Sequence, residues 1–202
     1  MHTISLQPDT YYHIYNRAVG KEKGFIEEKN YSFFLGKLKQ YINPIANVYA
    51  YCLLPNHYHL FVKIKTQQEI ELYKTQLSEQ NKILGNFETI ESFIVKQFSN
   101  MNNSYTKAFN KTYERKGKLF LQSFKRKEVD SDEYFTKLIH YIHSNPVHHQ
   151  LTKLIKDWKH SSYNSLVSNS VILLQRDAVL DWFGGKEKFI LFHQETQINI
   201  HE

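Results

Sequence analysis

The stretch Asn47-Val48-Tyr49-Ala50-Tyr51-Cys52-Leu53-Leu54-Pro55-Asn56-His57-Tyr58-His59-Leu60-Phe61-Val62-Lys63-Ile64-Lys65 reads as two strands joined by a tight turn. Both arms are rich in β-branched, aromatic and aliphatic residues, and Pro55-Asn56 is a turn dipeptide suited to a short antiparallel hairpin. Strand side chains alternate, so His57, His59 and Phe61 share one face while Tyr58, Leu60, Val62 and Ile64 share the other. The aliphatic set marks the side packed by helices. Both imidazoles therefore occupy the opposite face.

Upstream, Tyr11 to Ala18 alternates as a strand, with Tyr12, Ile14 and Ala18 on one side and Tyr11, His13, Tyr15 and Arg17 on the other. Phe25 to Tyr41 follows with Phe34, Leu35, Leu38, Tyr41 and Ile42 at helical spacing, and Asn43-Pro44 ends it. Downstream, Thr66 to Thr89 is polar and weakly periodic, which predicts a partly helical or mobile insertion. Ile94, Phe98, Met101, Tyr105 and Phe109 recur at steps of four and three, the mark of a long amphipathic helix. Beyond Gly117, Leu119 to Val129 resumes β alternation with Phe120 and Phe124. The order strand, helix, strand, strand, helix, strand predicts an α+β fold of the ferredoxin-like, split βαβ type. Its four-stranded antiparallel sheet carries two helices on one face.

A further helix starts near Asp130-Ser131-Asp132-Glu133, where Asp130 and Glu133 form a capping-box pattern. Phe135, Leu138, Ile139 and Ile142 make its buried stripe. At about 100° per residue, Tyr141 projects roughly 100° from the middle of that stripe, with Asn145 about 40° from Tyr141. Pro146 is expected to push Asn145 out of the helical region and end the helix there. Trp158 to Val167 and Leu174 to His193, broken by Gly184-Gly185, read as helical or irregular and form a small C-terminal appendage. The expected organisation is a domain over 1–167 and a helical extension over 168–202.

The 202 residues fit one domain of ordinary size. The lone Cys52 lies in an apolar run and reads as core, so no disulfide framework exists. Met1 to Thr10 has neither a basic start nor an apolar stretch, and nowhere do about eighteen apolar residues run together. A soluble protein of a reducing cytoplasm, with no membrane partner, is the expectation. Net charge is +6, and it is concentrated. From Lys107 to Lys127 stand Lys107, Lys111, Arg115, Lys116, Lys118, Lys125, Arg126 and Lys127 against the single acid Glu114. Tyr105, Phe109, Tyr113, Phe120 and Phe124 interleave aromatic faces that could stack on nucleic-acid bases, or else simply build the core beneath solvated lysines.

Two imidazoles on one strand face can hold a divalent cation, and Tyr141 and Asn145, one helical turn apart, point together. With no cysteine or carboxylate in the motif, a closed zinc site is disfavoured. Two nitrogens and an amide oxygen leave positions open for water and a phosphate oxygen, which suits Mg²⁺ or Mn²⁺. A phenol with a pKa near 10 is a weak nucleophile at neutral pH, so a cation polarising the scissile phosphate would supply much of the activation. Attack by Tyr141 on a phosphodiester would give a covalent phosphotyrosine. The structural alternative makes Tyr141 a packing residue of an aromatic-rich chain. His140, His143, His148 and His149 read as exposed or phosphate-contacting groups.

Leu53-Leu54-Pro55-Asn56-His57-Tyr58-His59-Leu60, Tyr141-Ile142-His143-Ser144-Asn145-Pro146-Val147 and Trp158-Lys159-His160-Ser161-Ser162-Tyr163 together resemble the single-tyrosine HUH transposases, nearest to the REP-associated tyrosine transposases. The resemblance covers roughly Tyr11 to Val167. It implies metal-dependent cleavage and rejoining of single-stranded DNA near hairpins through a 5′-phosphotyrosine link, leaving a free 3′-hydroxyl. It implies Tyr141 as nucleophile and His57, His59 and Asn145 as ligands of Mg²⁺ or Mn²⁺. Lys107, Lys111, Arg115, Lys116, Lys125, Arg126 and Lys127 become candidate phosphate contacts, with Arg17 and Tyr15 approaching from the neighbouring strand. The implied partner is single-stranded or hairpin DNA, met by a monomer or homodimer in a bacterial cytoplasm, associated with the nucleoid in use. A replication or mobilisation nickase of the same chemistry, or a non-catalytic nucleic-acid-binding module, are the other readings of these residues.

Overall fold

The computed structural model describes residues 4–80, 87–168 and 173–195. Its strands are β1 (Tyr11–Arg17), β2 (Ala46–Leu54), β3 (His57–Ile64) and β4 (Lys125–Val129). The helices are α1 (Glu28–Tyr41), α2 (Gln67–Glu79), α3 (Ile90–Thr112), α4 (Asp132–His148), α5 (Tyr163–Val167), α6 (Arg176–Trp182) and α7 (Lys186–Glu195). The sheet order is β2-β3-β1-β4, antiparallel throughout, which is the expected split βαβ arrangement.

The hairpin turns at Pro55-Asn56, and both of its carbonyls are used. Asn56 O accepts from Ala18 N at 2.7 Å and Pro55 O from Phe25 N at 3.0 Å. The turn is thus bound to the end of β1 and the approach to α1. On one face of the sheet α1 packs against α3, burying Phe34, Leu38, Phe98, Met101 and Tyr105 with Tyr12, Ile14, Tyr58, Leu60 and Val62. The alternation read from the hairpin holds, and Cys52 is buried.

Several elements depart from their predicted bounds. Pairing in the fourth strand is confined to Lys125–Val129, with Phe120 making only an isolated bridge to Ala18. The polar insertion contains α2, started by a reciprocal cap between Thr66 and Glu69. Residues 81–86 of that insertion, and residues 169–172 and 196–202 of the predicted extension, lie outside the described residues. The N-cap position of helix α4 is Ser131, one residue later than the Asp130–Glu133 pattern predicts, and its side chain makes no capping hydrogen bond. The Ser131 carbonyl takes the amides of Tyr134 and Phe135 at 3.0 and 3.1 Å. The helix also runs through Pro146 to His148 rather than ending at Asn145. A proline in the last turn removes one backbone donor, while the Asn145 and Pro146 carbonyls still accept from His149 and Leu151.

The second face of the sheet is covered by α4, which lies across β2 and β3. Tyr11, Tyr49, Phe61, Phe135 and Trp182 form an aromatic cluster there, with ring centroids 4.5–6.1 Å apart for the pairs in contact. Each such pair adds about 0.5–1.5 kcal/mol beyond area burial, enough to hold the helix on the sheet. The edge of β2 is covered as well. Leu53 N donates to His160 O at 3.0 Å, Ser162 N to Tyr51 O at 2.9 Å, and Trp158 Nε1 to Leu53 O at 3.1 Å. Covering an edge in this way blocks strand addition from outside and brings Ser162 beside α4. No helix among the described residues is long and apolar enough to cross a membrane.

Candidate active site

Strand pairing sets the site's floor. In β1, Tyr15 lies opposite His59 and Arg17 opposite His57, so both histidines and their cross-strand neighbours face α4. Helix α4 brings Tyr141 and Asn145 down onto this floor from the flank of its buried stripe. One chain thus supplies all four groups.

Asn145 is 2 % exposed, and its Oδ1 lies 3.2 Å from His57 Nε2. The other nitrogen of that ring, Nδ1, lies 2.7 Å from Asn56 Oδ1. An amide oxygen only accepts, so in a neutral His57 ring Nδ1 carries the proton and donates to Asn56. Nε2 then turns a lone pair toward the Asn145 oxygen. Two acceptors at this spacing repel unless the ring is protonated, the amide is turned end for end, or a cation sits beside both. Adjacent ligands of an octahedral cation with bonds of about 2.1 Å are about 3 Å apart, so the spacing fits a shared ion. Among the described residues no three His, Cys, Asp or Glu side chains converge on a point, which leaves the two rings and the amide as the candidate donor set.

His59 is 1 % exposed and stands perpendicular to His57, with ring centroids 5.1 Å apart. Its Nδ1 is hydrogen-bonded to His13 Nε2 at 2.9 Å. Burial holds the His59 pKa well below the ordinary value, and the neighbouring His13, His57 and His149 add to the effect. Burial likewise pushes His13 down to about 3, with the charge of Lys127 contributing. These rings are neutral at pH 7, the form that ligates metals. The Tyr141 ring, 6 % exposed, meets His59 edge-on at 5.7 Å between centroids and His13 at 6.1 Å. It is packed against the imidazoles rather than in the aliphatic stripe. Tyr15 stacks on His59 at 5.6 Å and on His13 at 4.8 Å, closing the floor on the β4 side.

The basic candidates are divided by strand parity. Lys125 and Lys127 pair with Tyr15 and His13, so they share the tyrosine face. Lys125 Nζ lies 5.7 Å over the Tyr15 ring, and Lys127 Nζ lies 5.2 Å over Tyr134. Arg17 is exposed beside His57. Arg126 points the other way. Its guanidinium lies against Phe124 and 3.5 Å from Glu91 of α3, with only 9 % of the side chain exposed. Arg115 is engaged too, pairing with Glu22 and donating to Lys118 O at 2.6 Å and Asn110 Oδ1 at 2.9 Å. Both arginines, unlike Lys125 and Lys127, are thus engaged in bonds within the fold. Lys107 and Lys111 are exposed on α3, in the helix layer that backs the sheet, and Lys116 is exposed just beyond it. The aromatics of this segment correct the stacking-platform reading. Tyr105, Phe109, Phe120 and Phe124 are all core.

Three features escaped the sequence reading. The first is His13, whose face was legible but whose bond to His59 joins residues 46 apart. The second is a buried relay behind α4. His143 Nε2 lies 2.7 Å from Ser162 Oγ, His143 Nδ1 lies 2.9 Å from His193 Nε2, and His193 Nδ1 donates to Phe189 O at 2.8 Å. Ser162 Oγ also accepts from Tyr51 N at 2.9 Å, so the relay runs from β2 through α4 to α7. The third is burial of His140 and His143, at 1 % and 0 % exposed, where exposed rings were expected. Helix α7 covers that side of α4. His148 and His149 are exposed, as expected.

No family model matches the chain. A Haemophilus influenzae protein named "Putative REP-associated tyrosine transposase" is 23 % identical over 141 residues, spanning 63 % of this chain and 71 % of that protein. A solved structure of a REP-associated tyrosine transposase bound to a REP hairpin superposes with a TM-score of 0.61 at 13 % identity, covering 84 % of this chain and 86 % of that one. The chain is therefore similar in sequence to a REP-associated tyrosine transposase and has the fold of one, as its spaced motifs imply.

Proposed function

We propose that this protein is a DNA strand transferase of the REP-associated tyrosine transposase type, cutting and rejoining single-stranded DNA beside a hairpin. The observation that supports it is the meeting of two motifs distant in sequence. The Tyr141 ring stands against His59, while Asn145, one turn further along α4, sits 3.2 Å from His57 Nε2. A packing tyrosine would require neither the adjoining neutral imidazoles nor the converging acceptors.

In this reading Tyr141 Oη forms a bond to phosphorus and the P–O3′ bond breaks. The proton lost by the phenol balances the one gained by the departing 3′-oxygen, and the bond energy is kept in the 5′-phosphotyrosine for rejoining. His57, His59 and Asn145 would hold a divalent cation, Mg²⁺ or Mn²⁺. That ion would supply charge neutralisation on the phosphate oxygens as the phenolate attacks. Helix α4 orients the phenol, and Tyr15 and the aromatic cluster exclude water from the floor. Lys125, Lys127 and Arg17 offer positive charge along the rim for the DNA backbone.

Incubation of the protein with a labelled single-stranded hairpin and Mn²⁺ is expected to give a denaturation-resistant protein–DNA adduct and a fragment ending in a 3′-hydroxyl. Tyr141→Phe and a chelator should each abolish it. An adduct that survives Tyr141→Phe, or hairpin binding with no cleavage under any divalent metal, would overturn the proposal.

A further inference from the structure

His13 sits on β1 opposite Phe61, one step diagonally from His59, and is 3 % exposed. Its ring lies nearly parallel to that of His59, with centroids 5.2 Å apart and planes at 23°, and its Nε2 is 2.9 Å from His59 Nδ1. Tyr15 stacks on it from one side and the Tyr141 ring meets it edge-on, so it has little rotational freedom.

Two neutral imidazoles joined by one hydrogen bond have two arrangements. In one, His13 Nε2–H donates to His59 Nδ1, and His59 Nε2 then carries its own proton and cannot ligate. In the other, His59 Nδ1–H donates to the His13 Nε2 lone pair, and His59 Nε2 is left as a lone-pair donor. Only the second is compatible with His59 as a ligand. Metal-binding histidines are generally oriented by an acceptor on the non-ligating nitrogen, most often a carboxylate, a carbonyl or water. At His59 Nδ1 an imidazole, that of His13, stands 2.9 Å away in the position such an acceptor takes.

We infer that His13 is a positioning residue of the site, accepting the His59 Nδ1 proton so that His59 Nε2 faces the cation with its lone pair. This rests on the proposed function, because it presumes that His57 and His59 hold a metal. The same ring also braces Tyr141 and Tyr15, so ligand orientation and nucleophile placement share one support.

The test reads metal binding and tautomer rather than cleavage alone. Mn²⁺ titration of the DNA-free protein, followed by the electron paramagnetic resonance signal of free Mn²⁺, should show His13→Phe binding about 10–100-fold more weakly than wild type. His13→Gln, which restores an acceptor, should recover most of the affinity. Hairpin binding by either variant should stay within about twofold of wild type. In the wild-type protein, long-range proton–nitrogen spectra should report His59 with its proton on Nδ1. His59 protonated on Nε2 instead overturns the inference without any variant, so a variant that fails to fold leaves it falsifiable. Unchanged Mn²⁺ affinity in His13→Phe overturns it while sparing the proposed function. Wild-type protein that binds no Mn²⁺ overturns both.

Discussion

His57 Nε2 and Asn145 Oδ1 lie 3.2 Å apart although 88 residues separate them in the chain. In a neutral ring His57 Nδ1–H donates to Asn56 Oδ1, so His57 Nε2 and Asn145 Oδ1 meet as two acceptors. If they share a cation, Asn145→Ala should weaken Mn²⁺ binding about tenfold or more, and Asn145→Asp should keep or raise it through added negative charge. Both are read by Mn²⁺ titration, with hairpin affinity as control. Equal affinity in wild type and Asn145→Ala would remove the amide from the donor set.

Behind α4, His143 joins Ser162 to His193 with both ring nitrogens engaged and no exposure. Replacing it with alanine leaves two buried partners unsatisfied and opens a cavity. His143→Ala should therefore cost about 3 kcal/mol of stability, lowering the melting temperature by about 10 °C in a chain of this length. A calorimetric shift below about 2 °C would show the relay to be dispensable.

His193 carries a pH signature. Burial lowers its pKa from 6.5 to about 3, the Phe189 carbonyl opposes that shift, and His140 adds to the lowering. The unfolded chain takes up this proton near pH 6.5 while the folded chain refuses it until about pH 3. Stability is thus lost as pH falls through that window and is unaffected by this group above it. Between pH 7 and pH 5 the loss from this ring alone is about 2 kcal/mol. Urea unfolding of wild type and His193→Gln at several pH values should show the variant flatter by that amount. Parallel curves would place the proton uptake elsewhere.

On β4, neighbouring basic residues should behave in opposite ways. Lys125→Ala and Lys127→Ala should each weaken hairpin binding and reduce the salt slope by about one, since both share the face of Tyr141. Arg126→Ala should leave the salt slope unchanged and lower stability instead, because its guanidinium is packed on Phe124 and paired with Glu91. Salt titrations of hairpin affinity separate the two classes. A fall in slope for Arg126→Ala would mean that it reaches DNA.

Much of this arrangement is legible in local pattern. Alternation in the hairpin assigns His57 and His59 to the face away from the aliphatic core, and helical spacing sets Tyr141 and Asn145 on one flank of α4. The strand parity of Phe120, Phe124 and Arg126 sets Arg126 on the helix-packed side, a local pattern masked by the density of basic residues around it. The ends of α4 were less legible. The helix starts at Ser131, whose carbonyl takes two amides, and Pro146 is absorbed in its last turn, because helix ends depend on which backbone groups find partners.

The chain's own periodicities determined the strands and their inner and outer faces, the amphipathic helices, and the coupling of a His pair to a Tyr–Asn pair by common orientation. These depend on bond geometry within a few residues, so they can be read without knowing the partners. Tertiary structure alone decided that His13 meets His59, that His143 and His193 join behind α4, and that Lys127 faces the tyrosine while Arg126 faces Glu91. Each is a pairing between distant segments. Register and layer packing select it, and no local pattern encodes which surface will close over which.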